Sequence, residues 1–389
     1  MIKKVGKHMI IQSTRIWILE QWLAAQLEIQ EGKISRILKL NTLPVDKDYG
    51  QAKILPGFID THCHGAFGFD TNDANPNGLR DWLKKAPEEG LTSLCPTTIT
   101  QSETVLIKAL ESVAAVYTSK PQGTQIVGIH FEGPYLNVTY KGAQPEPYIV
   151  KPNLNQFARY QKAAQNLIKI ITVAAEEDKD FEFIRTVSAQ GVAVNIGHSS
   201  ATYEQALFAF ANGAKGVTHA FNGMTPLNHR EPGLAGAALR LNSTFSELIC
   251  DGVHVSFPVM NLLYQAKGKD RLVMVTDALC AKGVGIGRYE FGGQMIDIKA
   301  DGGAYLADTT KLAGSTLKFN MGLKNVIEKA QVNEVSAINS TSLNPARLLG
   351  IDQHKGKIET HYDADLVVLD DAYEVLETYV AGKVVYSKS

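Results

Sequence analysis

From Gly57 to about Asn344, short β-branched apolar runs alternate with amphipathic stretches, and this rhythm constrains the fold more than any other feature of the chain. It predicts βα units and a parallel sheet buried on both faces. Eight runs can be placed: Ile54–Asp60, Leu91–Thr97, Gln125–Phe131, Ile168–Ala174, Val192–Ile196, Gly216–His219, Glu247–Asp251 and Arg271–Thr276. Most lead into helix-like segments, with the clearest 3.6-residue periodicity over Ser102–Tyr117, Thr202–Ala211 and Lys318–Ala330. Eight such units predict an α/β fold built as a closed (β/α)8 barrel of the TIM type in preference to an open sheet.

The two ends read differently. Strand-like pieces occur at His8–Gln12, Leu27–Gln30 and Lys33–Leu38, and again at Lys357–Thr360, Leu366–Leu369, Val375–Val380 and Lys383–Tyr386. Neither end can enclose a core alone. Because the termini of a domain tend to lie close together, the economical arrangement is one small β-sandwich domain assembled from residues 1–55 and 353–389, with the barrel, 56–352, inserted between them. Two stretches, Gly223–Thr244 and Ala278–Thr316, exceed ordinary βα loops, and long loops in compact domains usually carry function.

Composition narrows the function classes. With 389 residues, 44% hydrophobic and 20% charged, the chain can bury a full core, which excludes disordered, collagen-like and small disulfide-stapled classes. A formal net charge of -1 and the absence of a basic run argue against a nucleic-acid partner. The four cysteines are scattered without a CxxC pair, which predicts a reducing, cytoplasmic setting. Met1 to Gln12 has lysines at 3, 4 and 7 but no apolar core or cleavage signal, and no apolar run approaches the roughly 18 residues that a membrane helix needs.

Histidines and carboxylates recur where apolar runs stop: His62 and His64, Glu132, His198, His219 and Asp277. In a barrel these strand ends form one rim, the rim that carries active sites. Hydrolytic metal chemistry asks for several N/O ligands around an open coordination position together with a carboxylate free to move protons, and this set supplies both. His62 and His64 flank Cys63, so on a strand both point to one face and can bite one ion, while Cys63 packs on the other side.

At these residues the chain resembles a family. Leu55-Pro-Gly-Phe-Ile-Asp-Thr-His-Cys-His-Gly65 resembles the opening of the amidohydrolase superfamily barrel, and Gly356-Lys-Ile with Asp363-Ala-Asp-Leu-Val-Val-Leu-Asp370 resembles its closing signature. Within that superfamily, His130-Phe-Glu-Gly-Pro-Tyr-Leu-Asn137, Gly197-His-Ser199, Thr218-His-Ala-Phe-Asn-Gly-Met224, Arg230-Glu-Pro-Gly-Leu-Ala-Gly236, Asp251-Gly-Val-His254, Val275-Thr-Asp-Ala278 and Leu312-Ala-Gly-Ser-Thr-Leu317 resemble the N-acetylglucosamine-6-phosphate deacetylases, in the same order.

The resemblance implies roles residue by residue. Glu132, His198 and His219 fall on metal ligands, Glu132 standing where many amidohydrolases carry a carbamylated lysine. His62 and His64 match the pair found in members that hold a second ion. The implied cofactor is a divalent metal, zinc or iron foremost, as one or two ions. Asp277 matches the catalytic carboxylate, which takes a proton from a metal-activated water and returns it to the leaving amine. Arg230 matches a phosphate-contacting arginine that reaches the neighbouring subunit's site, which implies a homodimer. Asn222 and Gly223 would offer amides to the ligand, His254 would contact sugar or phosphate, and Leu312, Ala313 and Gly314 would line the acyl pocket. Gln144 stands where some members carry a sugar-contacting histidine, and His361 replaces a glycine common before the terminal Asp-Ala-Asp-Leu segment.

The implied activity is hydrolysis of the acetamide of a small-molecule amino-sugar phosphate, N-acetyl-D-glucosamine 6-phosphate, in amino-sugar catabolism or cell-wall recycling. Three alternatives stand beside it. The galactosamine epimer shares nearly every motif; a cyclic-amide hydrolase would need a lysine for carbamylation on the fourth strand, where Lys169 lies at the wrong end; a catalytically silent sugar-phosphate-binding protein would have lost Asp277 or a metal ligand.

Overall fold

The computed structural model describes residues 8–388; Met1–Lys7, with the three N-terminal lysines, and Ser389 lie outside the described residues. Eight parallel strands form the barrel: Phe58–Cys63, Leu91–Thr98, Ile129–Glu132, Ile168–Val173, Ala193–Ile196, Gly216–Val217, Phe245–Ile249 and Leu272–Val275. A helix follows each of the first seven, from Pro76–Lys85 to Phe257–Lys267. The fourth strand shows why the sequence runs are apolar throughout: Ile171 and Val173 join the layer under the helices, while Ile170 and Thr172 face the barrel interior. Side-chain caps fix helix starts, as at Thr202, whose hydroxyl accepts from Gln205 N while the Gln205 side chain returns a bond to Thr202 N.

The seam between the eighth strand and the first closes through a few bonds only, Asp277 N to His62 O at 2.9 Å and His64 N to Ala278 O at 2.7 Å. Both involve residues expected at the site.

Strands from both chain ends pair into one sheet, in the order Lys383–Ser387, Val375–Val380, Leu366–Leu369, Lys53–Pro56, His8–Ile18, Gln21–Gln30 and Lys33–Lys39, with the short Lys47–Asp48 beside His8–Ile18. Period-two alternation gives this sheet two duties. Ile54, Leu366 and Val368 join Ile11, Leu27 and Tyr379 in a core of its own, whereas Leu55, Val367 and Leu369 belong to the barrel core. Ile34 on one edge strand and Tyr379 on the strand next to the other edge meet in that core, so the sheet curls over itself into the sandwich-like body expected from the two ends.

Several sequence expectations need correction. The run Ile54–Asp60 is two strands in different sheets, broken at Gly57. Gln125–Phe131 is interrupted after Ile126, and the seventh strand starts two residues earlier than expected, at Phe245. Lys357–Thr360 is not a strand: only Ile358 is buried there, and the backbone bonds to Ile34 come later, from Tyr362 O and His361 N. Lys318–Ala330 is helical but changes to a π turn at Asn325, whose side chain bonds Cys250 O. The stretch Gly223–Thr244 contains the helix Gly233–Arg240. Ala278–Thr316 is no loop: it carries a four-stranded antiparallel sheet, Gly287–Phe291, Gln294–Ile298, Gly303–Leu306 and Leu312–Ser315, with its own small core around Phe291 and Ile296. His361 has φ +71, the left-handed conformation a glycine would adopt without strain.

Candidate metal centre and active site

The strand-end residues converge. Glu132 closes the third strand, and the backbone beyond the fifth, sixth and eighth turns sharply, with positive φ at His198 (+47), His219 (+28) and Asp277 (+49). Each such turn costs roughly 1–2 kcal/mol in an L-residue, and strain of this kind collects at functional sites. It aims three side chains back over the barrel mouth.

Glu132 Oε1 lies 3.2 Å from His198 Nε2 and 3.1 Å from His219 Nε2, and those two nitrogens are 3.2 Å apart. His62 Nε2 is 3.5 Å from both Glu132 Oε1 and Asp277 Oδ1. His64 Nε2 stands 3.3 Å from Glu132 Oε2 and 3.2 Å from Asp277 Oδ1. All six residues are buried. Burial alone would raise both carboxyls, but the facing histidines, His62 first among them, hold Glu132 and Asp277 well below the ordinary carboxylate range.

The donor set fits a divalent cation. His198 Nδ1 donates to Tyr140 O at 2.8 Å, which leaves Nε2 a bare lone pair directed at a carboxylate oxygen and another imidazole nitrogen. His62 Nδ1 meets Glu247 Oε2 at 3.0 Å, and its Nε2 is buried without a hydrogen-bond partner while aimed at Glu132 and Asp277. Burial would lower the His62 and His64 rings, but Asp277 and Glu132 raise both, so without an ion protons supply the positive charge these carboxylates require, and a divalent cation on the same nitrogens would replace those protons. Two positions emerge: Glu132, His198 and His219 define one, and His62, His64 and Glu132 the other, with Asp277 beside it. His62, His130 and Glu247 also cluster, yet both His130 nitrogens are engaged, by Thr61 O and Thr172 Oγ1, and burial lowers that ring to about 4.

Above the cluster opens a cavity of about 330 Å³ lined by His64, Glu132, Gln144, His198, His219, Asn222, Gly223, His254, Asp277 and Leu312 to Gly314. The inserted sheet places its last strand beside Asp277, since Ser315 N donates to Asp277 O at 2.8 Å and Leu279 N to Ser315 O at 3.1 Å. Gly223, with φ +57, lets the chain pass His198: a Cβ there would fall 2.8 Å from His198 Nδ1. His254 is fixed by Asp251, its Nδ1 2.6 Å from Oδ2; burial would lower the ring, and Asp251 raises it instead.

Three expected ligand contacts look different in place. Gln144 donates from Nε2 to Glu132 Oε2 at 2.8 Å and accepts at Oε1 from Thr100 N at 2.8 Å, so it orients a metal ligand while its second Nε2 N–H is left to the cavity it lines. The backbone N–H of Asn222 closes a turn onto His219 O at 3.0 Å, which removes that amide from the ligand. Arg230 is exposed and lies outside its own chain's cavity. Lys169 is exposed at the second position of its strand, away from the metal cluster, which disfavours the cyclic-amide reading.

Sequence reasoning missed Glu247, Asn195 and His130, which sit inside strands or before their ends, and Lys311, a cavity-lining lysine just before the last strand of the inserted sheet. A charged residue within an otherwise apolar barrel strand was the available signal for Glu247.

A parallel barrel bearing a histidine–carboxylate cluster at the C-terminal mouth defines a class of metal-dependent hydrolases. The chain belongs to the amidohydrolase family, which it matches over residues 54–385. It is 38% identical over 365 residues, covering 92% of each chain, to an N-acetylglucosamine-6-phosphate deacetylase of Bacillus subtilis (strain 168). It is also 34% identical to an N-acetylgalactosamine-6-phosphate deacetylase of Escherichia coli O157:H7, over 96% of this chain and 98% of that one. Among solved structures it is similar, at a TM-score of 0.93 and 29% identity over 98% of this chain and 100% of the other, to a mutant N-acetyl-D-glucosamine-6-phosphate deacetylase from Mycobacterium smegmatis in complex with N-acetyl-D-glucosamine-6-phosphate. Among the described residues no helix is long and apolar enough to cross a membrane.

Proposed function

We propose that this protein hydrolyses the acetamide of N-acetyl-D-glucosamine 6-phosphate to D-glucosamine 6-phosphate and acetate, with Asp277 as the proton carrier. The observation that carries the reading is the placement of Asp277 on the cavity lining, between the His62/His64 pair and the strand Leu312–Ser315. Glu132, His198 and His219 would hold one divalent ion and His62 and His64 a second, and the metal would supply Lewis acidity toward a water and the amide carbonyl. Asp277 accepts a proton from the attacking water; the C–N bond breaks as that proton passes to the nitrogen, since an amine leaves only when protonated. His254 and Lys311, basic side chains on the cavity wall beyond the cluster, suit a phosphate.

Zinc or iron are the metals of choice for this ligand set. The working assembly is a homodimer in which Arg230 reaches the neighbouring cavity; its exposure outside its own supports that role. Four free, buried cysteines suit a reducing cytoplasm. The galactosamine epimer is the second reading, favoured by the 34% identical relative of that name.

The test is acetate release by purified protein from both epimers, before and after chelation and metal add-back. Metal-dependent release favouring the gluco sugar supports the proposal. Preference for the galacto sugar selects the second reading, and no release from either with metal bound rejects both.

A further inference from the structure

Glu247 is fully buried on the seventh barrel strand and, among the described residues, its ion-pair partner is His62 alone. Three elements grip its carboxylate. His62 Nδ1 lies 3.0 Å from Oε2, Asn195 Nδ2 donates to Oε1 at 3.0 Å, and the backbone N–H of His219 approaches Oε2 at 3.4 Å. The side chain thus spans the barrel interior from the seventh strand to the first, fifth and sixth.

A buried carboxylate with no lysine or arginine must obtain its compensating charge elsewhere. Here the group within reach is an imidazole whose other nitrogen points at Glu132 and Asp277. Bonding to Glu247 sets the tautomer of His62: the proton stays on Nδ1 and the lone pair of Nε2 faces the centre, made more basic by the carboxylate behind it. The other histidines of the cluster have no such backing. His198 donates to a backbone carbonyl, and the Nδ1 atoms of His64 and His219 have no partner.

We propose that Glu247 is a positioning residue that determines whether the His62/His64 position retains an ion, acting through His62 and leaving the Glu132/His198/His219 position largely untouched. The inference rests on the two-position reading of the metal centre given above. It makes ion number a property written partly in a strand interior, away from the ligands themselves.

The experiment is zinc retention per chain, by equilibrium dialysis against a competing chelator, for the wild type, Glu247→Gln, His62→Asn and the double variant. The wild type should hold two ions. Glu247→Gln should keep one with unchanged affinity and bind the other about 10- to 100-fold more weakly, the range seen when the outer partner of a metal ligand is removed. The double variant should lose no more than His62→Asn alone. Two ions held with wild-type affinity by Glu247→Gln overturn the proposal while the two-ion reading stands; fewer than two in the wild type overturns that reading first. Additive losses in the double variant reject the route through His62.

Thermal unfolding of the metal-free proteins separates positioning from mere structural support. Burial would raise the Glu247 carboxyl, but the bonds it accepts hold it in its charged form, so breaking its pair with His62 should lower the metal-free midpoint of Glu247→Gln and His62→Asn alike; a fall in Glu247→Gln that exceeds the fall in His62→Asn by several degrees would overturn the proposal. Should Glu247→Gln fail to fold, Glu247→Asp, which keeps the charge and withdraws the oxygens by one methylene, should show the same selective loss; intact retention of both ions there counts against the proposal.

Discussion

The hydroxyl of Thr276 donates to the carboxylate of Asp60 at 2.6 Å, across the seam where the barrel's last strand meets its first. The same carboxylate accepts from His62 N at 3.2 Å and lies 3.4 Å from Thr276 N. One buried side chain therefore ties the backbone just before His62 to the backbone just before Asp277. Burial pushes its carboxyl up to about 6, with Lys282 opposing the shift. Asp60→Ala would strand three buried donors and should destabilise the protein by about 2–4 kcal/mol while also lowering turnover. Thr276→Val, which removes the donor to Asp60 and the acceptor of Ala278 N at 3.2 Å, should cost about 1–3 kcal/mol. Denaturant titration with parallel kinetics checks both, and Asp60→Ala with wild-type turnover would dissociate the seam from the site.

Asp277→Asn preserves shape and removes the base. Turnover should fall at least about 100-fold. Metal content should hold, because Glu132, His198 and His219 are intact. Near-normal acetate release from this variant would refute the assigned role.

Cations at the cavity wall should discriminate by phosphate. Lys311→Ala should raise KM for the phosphorylated sugar about tenfold, the worth of one charge-assisted hydrogen bond, and leave the unphosphorylated sugar unaffected. Arg230→Ala should do the same with a larger effect. If Arg230 serves the adjoining subunit, Arg230→Ala and Asp277→Asn chains mixed as subunits should recover part of the activity; an inactive mixture would assign each cavity to one chain.

Glu377 joins the two chain ends, its carboxylate bonded by Lys47 Nζ at 2.6 and 2.7 Å and by Tyr379 at 3.0 Å, with Tyr49 also in contact. Burial would raise this carboxyl, but these bonds, Lys47 foremost, lower it. A lowered carboxyl contributes stability that is complete above its unfolded value, about 4.3, and lost as pH falls through the folded value. Glu377→Gln should cost about 1–3 kcal/mol at pH 7. The gap to wild type should close as the pH is lowered below about 4; a gap independent of pH would show that charge is not what holds the ends.

The sequence exposes a residue's role most readily where position and chemistry coincide. The gathering of Glu132, His198, His219 and Asp277 in one place was legible because apolar runs stop beside them and a barrel gathers its strand ends on one rim. Glu247 was not, because a strand interior says nothing of which inward-facing neighbour lies across the barrel. The inserted sheet read as loop because its strands, such as Gly287–Phe291, are half exposed and separated by glycine turns at Gly292-Gly293 and Gly302. No linear pattern shows that Gln144 also holds Glu132 and Thr100, one at each end of its amide.

The strand Lys53–Pro56 pairs on one side with Leu366–Leu369, some 310 residues further along the chain. At about 5–20 residues per second of synthesis, that edge waits roughly 15–60 s for its partner. Ile54 and Leu55, destined for two different cores, stand for that time with neither complete. The curled sheet is thus the last body to close in a newly made chain, and a nascent polypeptide stalled in its barrel carries an open, apolar strand edge for a chaperone or a second nascent copy to find.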